Sequence, residues 1–387
     1  MTEGVAGPYA TSLLGDLGAE VIKIERPQGD WGRGTGAVIE PDFGSVFVAM
    51  NRNKRCLGLD ARTEDGARIL REILGRADVV MSNYRRGVMD GLGLGYDDCV
   101  AVRPNIVYCT ITAFDEQSAW ADAPGNDTGL QAASALMSLN GMAGGEPLRV
   151  AVPVIDFTAG LFAAQSVLAG LVRRDIPRRI EVSLLNVAAA MQGIPLTEYL
   201  NDGIVPSRHG NQNPYISPAG AFLARDGKYL TISCLRQAHW VSLCGLIGRP
   251  DLIDDPAFAD NTARVANRAT LNRELDAVVA TRDQAEWVRL LTEARLLHAA
   301  VNDYDDLLGN PGTGPTLPIT SISLSEDGKA RSIGNPVRYD REFPPAARGP
   351  ARPGEHSVEV LGELGYTDAQ IQRLVESGVA AVPTPAE

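Results

Sequence analysis

Apolar and polar positions alternate in two registers along the first 115 residues. Leu13, Leu14 and Leu17 fall on one side of a helical repeat over residues 9–17, which Gly18 stops, and residues 20–25 then read as a short strand. A strand is predicted over 55–60, and Ile69, Leu70, Ile73 and Leu74 form an apolar stripe on a helix starting at Thr63. Strands over 78–81 and 106–112 continue the series. Strands separated by helices call for right-handed crossovers, so this part reads as a doubly wound α/β domain around a parallel sheet. Such a sheet normally carries a strand ahead of its first helix. Here the sequence opens on the loop Glu3-Gly-Val-Ala-Gly-Pro8, so its start is read as truncated or misassigned.

Farther on, a strand over 179–183 leads into a helix over 184–191, and the Gly-, Pro- and Asn-rich residues 202–218 read as a linker. Asp226-Gly227 marks a hairpin between strands at 221–224 and 229–234. Helices fit 237–247, 270–280 and 284–294, giving a second, smaller α+β domain. Another Gly/Pro stretch, 309–318, precedes helices near 357–364 and 367–377.

The run over residues 150–172 is largely apolar, and Asp156 is its one charged side chain. An unpaired carboxylate is costly to bury, so Asp156 must be a helix cap, a paired structural charge or a nucleophile. Pro153 before it and helix-compatible residues after it put Asp156 at a helix start. The orphan N–H groups and the dipole would keep it ionised there. An ionised carboxylate in an apolar setting suits acyl transfer through an aspartyl intermediate, and an ordinary cap would account for it as well.

Charge and cysteine usage remove several classes. With 387 residues the chain has room for two domains, and its net charge of −12 argues against general nucleic-acid binding. Its five cysteines are scattered without a C-x-x-C pair, so neither disulfides nor a metal site is expected, and a reducing cytoplasm fits. The apolar run contains Pro153, Asp156 and Gln165, which argues against membrane spanning. Lys23, Arg26, Arg52, Lys54 and Arg55 cluster early in the chain, and Arg85 and Arg86 follow a strand end, where α/β folds place ligands. These residues are either a solvated charge cluster or a site for a phosphate-bearing ligand. Gly91-Leu-Gly-Leu-Gly95 lacks the dinucleotide spacing, and residues 309–316 lack the lysine of a P-loop.

The segments Ala6-Gly-Pro8, Leu14-Gly-Asp-Leu-Gly-Ala-Glu-Val-Ile-Lys-Ile-Glu-Arg-Pro27, Gly29-Asp30 and Asn51-Arg-Asn-Lys-Arg55 together resemble the class III CoA-transferases, of the formyl-CoA and carnitine CoA-transferase type. Asn83-Tyr-Arg-Arg-Gly-Val-Met89, Pro124-Gly-Asn-Asp127 with Gln131, Glu181-Val-Ser-Leu-Leu185, Arg208-His-Gly-Asn211 and Gly354-Glu-His356 extend the match in order. The resemblance implies that Asp156 is the nucleophile, that Lys54, Arg55, Asn83, Tyr84 and Arg86 line the CoA nucleotide, and that Val5 and Ala6 flank the pantetheine. It also implies a Rossmann-like large domain built from 1–200 and 319–387, linkers at 201–219 and 309–318, and a small domain at 220–308. Two such chains would interlock as a homodimer. The substrates would be an acyl-CoA and a small carboxylic acid, with no tightly bound cofactor and neither nucleic acid nor membrane as a partner.

Departures from the pattern narrow the reading. Asp175-Ile-Pro-Arg-Arg179 replaces a glycine and glutamine turn, Asn213 stands where a histidine is frequent, and Ser233-Cys-Leu-Arg-Gln237 occupies the place of an active-site glycine loop, so oxalate specificity is unsupported. The related α-methylacyl-CoA racemases share the fold but carry Gly-His-Asp where this chain has Gly125-Asn126-Asp127. An asparagine amide cannot serve as their second base. Asp127 is expected to cap the helix that follows it. A non-catalytic CoA-binding module would keep the nucleotide patch without needing Asp156.

Overall fold

In the computed structural model, which describes residues 1–173, 178–324 and 328–383, the apolar residues of the first half build five of the six strands of two three-stranded sheets. Helix α1 (Ala6–Asp16) comes first, and strand β1 (Ile22–Glu25) then pairs in parallel with β2 (Arg55–Leu59). Helix α2 (Glu64–Leu74) starts where the Thr63 side chain accepts the Gly66 N–H, and it leads to β3 (Val79–Ser82). Strands β3, β4 (Val107–Thr112) and β5 (Arg178–Ser183) form the second sheet, all parallel. The chain is therefore a mixed α/β protein with parallel sheets.

Between β4 and β5 lie α3 (Asp127–Ala133) and α4 (Val154–Val172); α5 (Leu184–Met191) and α6 (Gly193–Asp202) follow β5. Of the predicted replacement turn at 175–179, residues 175–177 lie outside the described residues. Helix α4 is long and apolar enough to cross a membrane. In this fold it instead buries Ile155, Ala159, Ala163 and Val167, spaced four apart, in a core shared with α1, β4 and β5. Leu161, Phe162, Leu168 and Val172, on the rest of α4, stay exposed.

Among the described residues no strand precedes α1. Residues 1–4 are instead fastened to both sheets. Met1 donates its amino hydrogen to the Met81 carbonyl (2.9 Å), the Asn83 amide pairs with both the N–H and the C=O of Glu3 (2.8 and 2.7 Å), and Lys23 Nζ donates to the Thr2 carbonyl (2.6 Å).

A separate antiparallel sheet, in the order β8-β7-β6, comprises β6 (Ala219–Leu223), β7 (Tyr229–Ser233) and β8 (Leu297–Ala300). Helices α7 (Gln237–Leu246), α8 (Arg268–Val279) and α9 (Gln284–Glu293) contribute Trp240, Leu243, Leu271, Leu275, Trp287 and Leu291 to its core. The final residues return to the first sheet. Helices α10 (Ser357–Glu363) and α11 (Asp368–Glu376) join the core around Leu57 and Leu59, and β9 (Ala380–Ala381) pairs antiparallel with β2. Two compact units result: Met1–Leu136 with Arg149–Ile204 and Leu317–Glu387, and Met137–Leu148 with Val205–Thr316.

Candidate active site

The start of α1 is held by a buried polar scaffold. Asp30 Oδ1 accepts the Gly4 and Gly32 N–H groups (3.2 and 2.8 Å), and its Oδ2 takes the Lys23 ammonium at 2.8 Å. Arg33 grips Glu25 through two hydrogen bonds of 2.9 Å and lies 3.7 Å over the Phe47 ring. Gly4, at a φ of +74°, lies against the Trp31 ring, so neither its backbone nor the space around it would admit a side chain. The chain reaches Val5 and Ala6 with no side-chain cap, and the N–H groups of Val5, Ala6 and Gly7 make no hydrogen bond among the described residues. They are open donors at the positive end of a helix.

Helix α4 crosses this start closely because position 160 is glycine. A Cβ there would stand 2.8 Å from the Ala6 carbonyl oxygen and 2.9 Å from Tyr9 Cδ1. Asp156 lies one turn earlier on the same face of α4. Beside it, Phe157 packs edge-on against Tyr9, with ring centroids 4.8 Å apart.

Asp156 is the third residue of α4, yet the amides around it are already engaged. Val154 N–H goes to the Val152 carbonyl (2.8 Å) and Phe157 N–H to that of Pro153 (3.0 Å). Those of Ile155 and Asp156 both go to Asp127 Oδ2 (2.8 and 3.3 Å). The Asp156 carboxylate therefore accepts no hydrogen bond from this helix start. Burial, and after it the charge of Asp127, push its pKa up to about 7. This corrects the expectation that the helix end keeps Asp156 firmly ionised. Asp127 also departs from expectation. It caps α4, while Asn126 caps α3 by accepting the Gly129 N–H at 2.9 Å.

The basic cluster proves to be mostly internal. Lys54 is buried, gives its three protons to Pro8 O (2.7 Å), Met50 O (2.7 Å) and Asn51 Oδ1 (2.9 Å), and has its pKa driven well down by burial. Arg55 is surrounded by Glu20, Glu359 and Glu363. Arg52 binds Asp16 through contacts of 2.8 and 2.6 Å. In this structure these side chains are engaged by protein partners, so a CoA phosphate at Lys54 or Arg55 would have to share or displace them. Asn83 is likewise occupied with Glu3, and Tyr84 packs its ring into a core, where burial raises its hydroxyl pKa. Arg86 differs: its side chain is 54% exposed, and among the described residues its one ion-pair contact, to Asp122, spans 3.9 Å. Hollows of about 280 Å³ beside Arg103 and 400 Å³ beside Arg55 open where strands begin, away from Asp156. Sequence reasoning missed the Asp127–Gln131 pair as a support for the α4 start. The four-residue spacing was visible, but its partner across the fold was not.

The sequence matches the model of CoA-transferase family III over residues 1–357. It is 32% identical over 384 residues to the succinyl-CoA:glutarate CoA-transferase of Mus musculus, covering 98% of this chain and 88% of that protein. Among solved structures, a CAIB/BAIF family protein from Brucella suis superposes with a TM-score of 0.82 at 29% identity, covering 94% of this chain and 97% of that one. A Mycobacterium tuberculosis protein, Rv3272, superposes with a TM-score of 0.83 at 31% identity, covering 93% and 96%.

Proposed function

The chain belongs to CoA-transferase family III, and we propose that, like the succinyl-CoA:glutarate CoA-transferase it resembles, it moves CoA from an acyl-CoA to a carboxylic acid, with Asp156 as the covalent carrier. The observation that carries this reading is the Asp156 carboxylate, without a hydrogen-bond partner among the described residues and one helical turn from Gly160, where α4 packs against Ala6 and Tyr9 of α1.

In the first half-reaction an Asp156 oxygen attacks the thioester carbonyl, the C–S bond breaks, and an acyl-aspartyl anhydride forms with release of CoA thiolate. The thiolate attacks the aspartyl carbonyl, freeing the donor acid and leaving an aspartyl-CoA thioester. The acceptor carboxylate then repeats the sequence in reverse. Each step builds an oxyanion, and in this reading the open N–H groups at the start of α1, the helix that α4 crosses at Gly160, are its donors. The amides around Asp156 itself do not serve, because they are spent on Asp127 and on the preceding turn.

Val5 and Ala6 accordingly flank the thioester end of CoA, and Arg86 is the candidate cation for its phosphates. We read the two three-stranded sheets as halves of one Rossmann-like sheet, and the exposed apolar side chains of α4 and α6 as surface covered by a second copy in an interlocked homodimer. The racemase alternative loses support from Asn126, whose side chain is committed to capping α3.

Succinyl-CoA with glutarate is the pair to test first, followed by a mass-spectrometric screen of other acids. Transfer lost in Asp156→Ala, with an acyl or CoA adduct on the Asp156 peptide of the wild type, supports the proposal. Hydrogen exchange at the α-carbon of a 2-methylacyl-CoA in deuterated water, without transfer, would move the chain to the racemase reading. CoA binding with neither reaction would leave a binding module.

A further inference from the structure

Asp127 occupies a place that a simple helix cap does not require. It is buried, sits on α3, and reaches across to the first turn of α4, where its Oδ2 accepts the N–H of Ile155 at 2.8 Å and of Asp156 at 3.3 Å. Its Oδ1 accepts from Gln131 Nε2 at 2.6 Å, one turn along α3. Gln131, fully buried, clasps the approach to α4 with the rest of its amide: Oε1 accepts the Val150 N–H at 2.8 Å and Nε2 donates to the Val150 carbonyl at 3.3 Å. Two side chains thus fix both the entry to α4 and the backbone of Asp156.

We propose that Asp127, braced by Gln131, is a positioning residue that both locates the Asp156 carboxylate and regulates its charge, by taking the N–H groups that would otherwise stabilise the anion and by presenting a like charge beside it. This rests on the reading of Asp156 as nucleophile. A carboxylate held this way is a stronger base than a free one, and the site gains reactivity at the cost of having to shed a proton first.

The charge relation is specific to this pair. On the elements packed against α4, α1 offers Tyr9 and Asp16, the latter engaged by Arg52; β4 offers Tyr108 and Cys109; β5 offers Arg178, Arg179 and Glu181; α5 carries no charge. Among the described residues, Asp127 is the neighbour whose charge acts on Asp156.

The test separates charge from support. Asp127→Asn keeps an acceptor for the α4 amides and removes the charge; Gln131→Leu removes the brace and keeps the charge. The Asp156 carboxyl is followed by carbon-13 NMR of protein labelled at the aspartate carboxyl carbon, its signal identified by absence in Asp156→Asn. This readout needs no turnover, so it stands even if the transferase reading fails. In Asp127→Asn the Asp156 titration should move to lower pH by about one unit, and the acid limb of kcat/KM should follow it. In Gln131→Leu the titration should stay near its wild-type position, while kcat falls about tenfold or more and KM changes little. Loss of transfer in Asp156→Ala with an unmoved titration in Asp127→Asn would uphold the nucleophile and overturn this inference. So would a Gln131→Leu enzyme with wild-type kcat.

Discussion

Asp127 Oδ2 lies 3.3 Å from the backbone nitrogen of Asp156 and accepts its N–H, so two carboxylates share one helix start. An isolated aspartate at that position would use those amides for itself. Here the amides serve Asp127, and Asp156, with a pKa raised to about 7, is left costly to ionise.

That cost has a defined pH dependence. Because the folded-state pKa lies above the unfolded value, the native protein holds a proton that the unfolded chain releases between about pH 4 and 7. Stability is therefore intact below the unfolded pKa, falls as pH rises through this window, and stays reduced above it. Asp156→Asn should raise the melting temperature at pH 8 by a few degrees, on the order of 2 kcal/mol once residual solvent screening is allowed for, and the gain should vanish near pH 4. Calorimetry of both proteins across this range checks it; equal gains at both ends would remove the charge explanation.

The contact at Gly160 offers a second check. A methyl group there meets the Ala6 carbonyl at 2.8 Å and the Tyr9 ring at 2.9 Å, and one of these contacts is backbone, which cannot turn aside. Gly160→Ala should cost about 1–3 kcal/mol by overpacking. It should also displace the α1 start from Asp156, lowering kcat more than it raises the KM for acyl-CoA. Wild-type kcat in a destabilised variant would show that the α1 start does not serve the reaction.

The sequence made the parallel α/β architecture legible because its strands are short apolar runs punctuated by amphipathic helices, and Asp156 because it interrupts an apolar run with one charge. The roles of the basic residues were not legible. Lys23, Arg52, Lys54 and Arg55 have acidic or carbonyl partners up to about 300 positions away, such as Glu359 and Glu363 on Arg55, and composition alone cannot distinguish a saturated cation from an open one. For the same reason Asp127 looked like a local cap. Its proximity to α4 is created by the crossover between β4 and β5, which local spacing does not encode. Strand β8 and strand β9 escaped notice because four residues and two residues carry too little pattern to count.

Saturated and open cations should separate in kinetics. Lys54→Met leaves the Pro8 and Met50 carbonyls and the Asn51 side chain without a donor, which should cost about 2–4 kcal/mol of stability. Enzyme that remains folded should keep its KM for acyl-CoA. Arg86→Ala should leave stability unchanged and raise that KM several-fold, with the effect shrinking at high salt. Reversal of the two outcomes, with Lys54 governing KM and Arg86 governing melting, would restore the sequence-based assignment.

The last expectation concerns assembly. Helix α6 buries none of its residues, and Ile194, Leu200 and Ile204 are 66–73% exposed at its two ends and just beyond, while Leu161, Phe162, Leu168 and Val172 stand out from α4. Single exposed leucines are ordinary, but this many large apolar side chains on two helices of one unit exceed what a monomer commonly leaves in water. A second copy is the occupant the family resemblance implies, and chains that thread each other cannot part without unfolding. The protein should therefore sediment as a dimer even at nanomolar concentration, and loss of dimer should coincide with loss of structure in a denaturant titration. Leu200→Asp, which puts a charge on the exposed face of α6, should weaken assembly while leaving the core around Ile155 intact. A folded monomer of the wild type at micromolar concentration would sink the proposal.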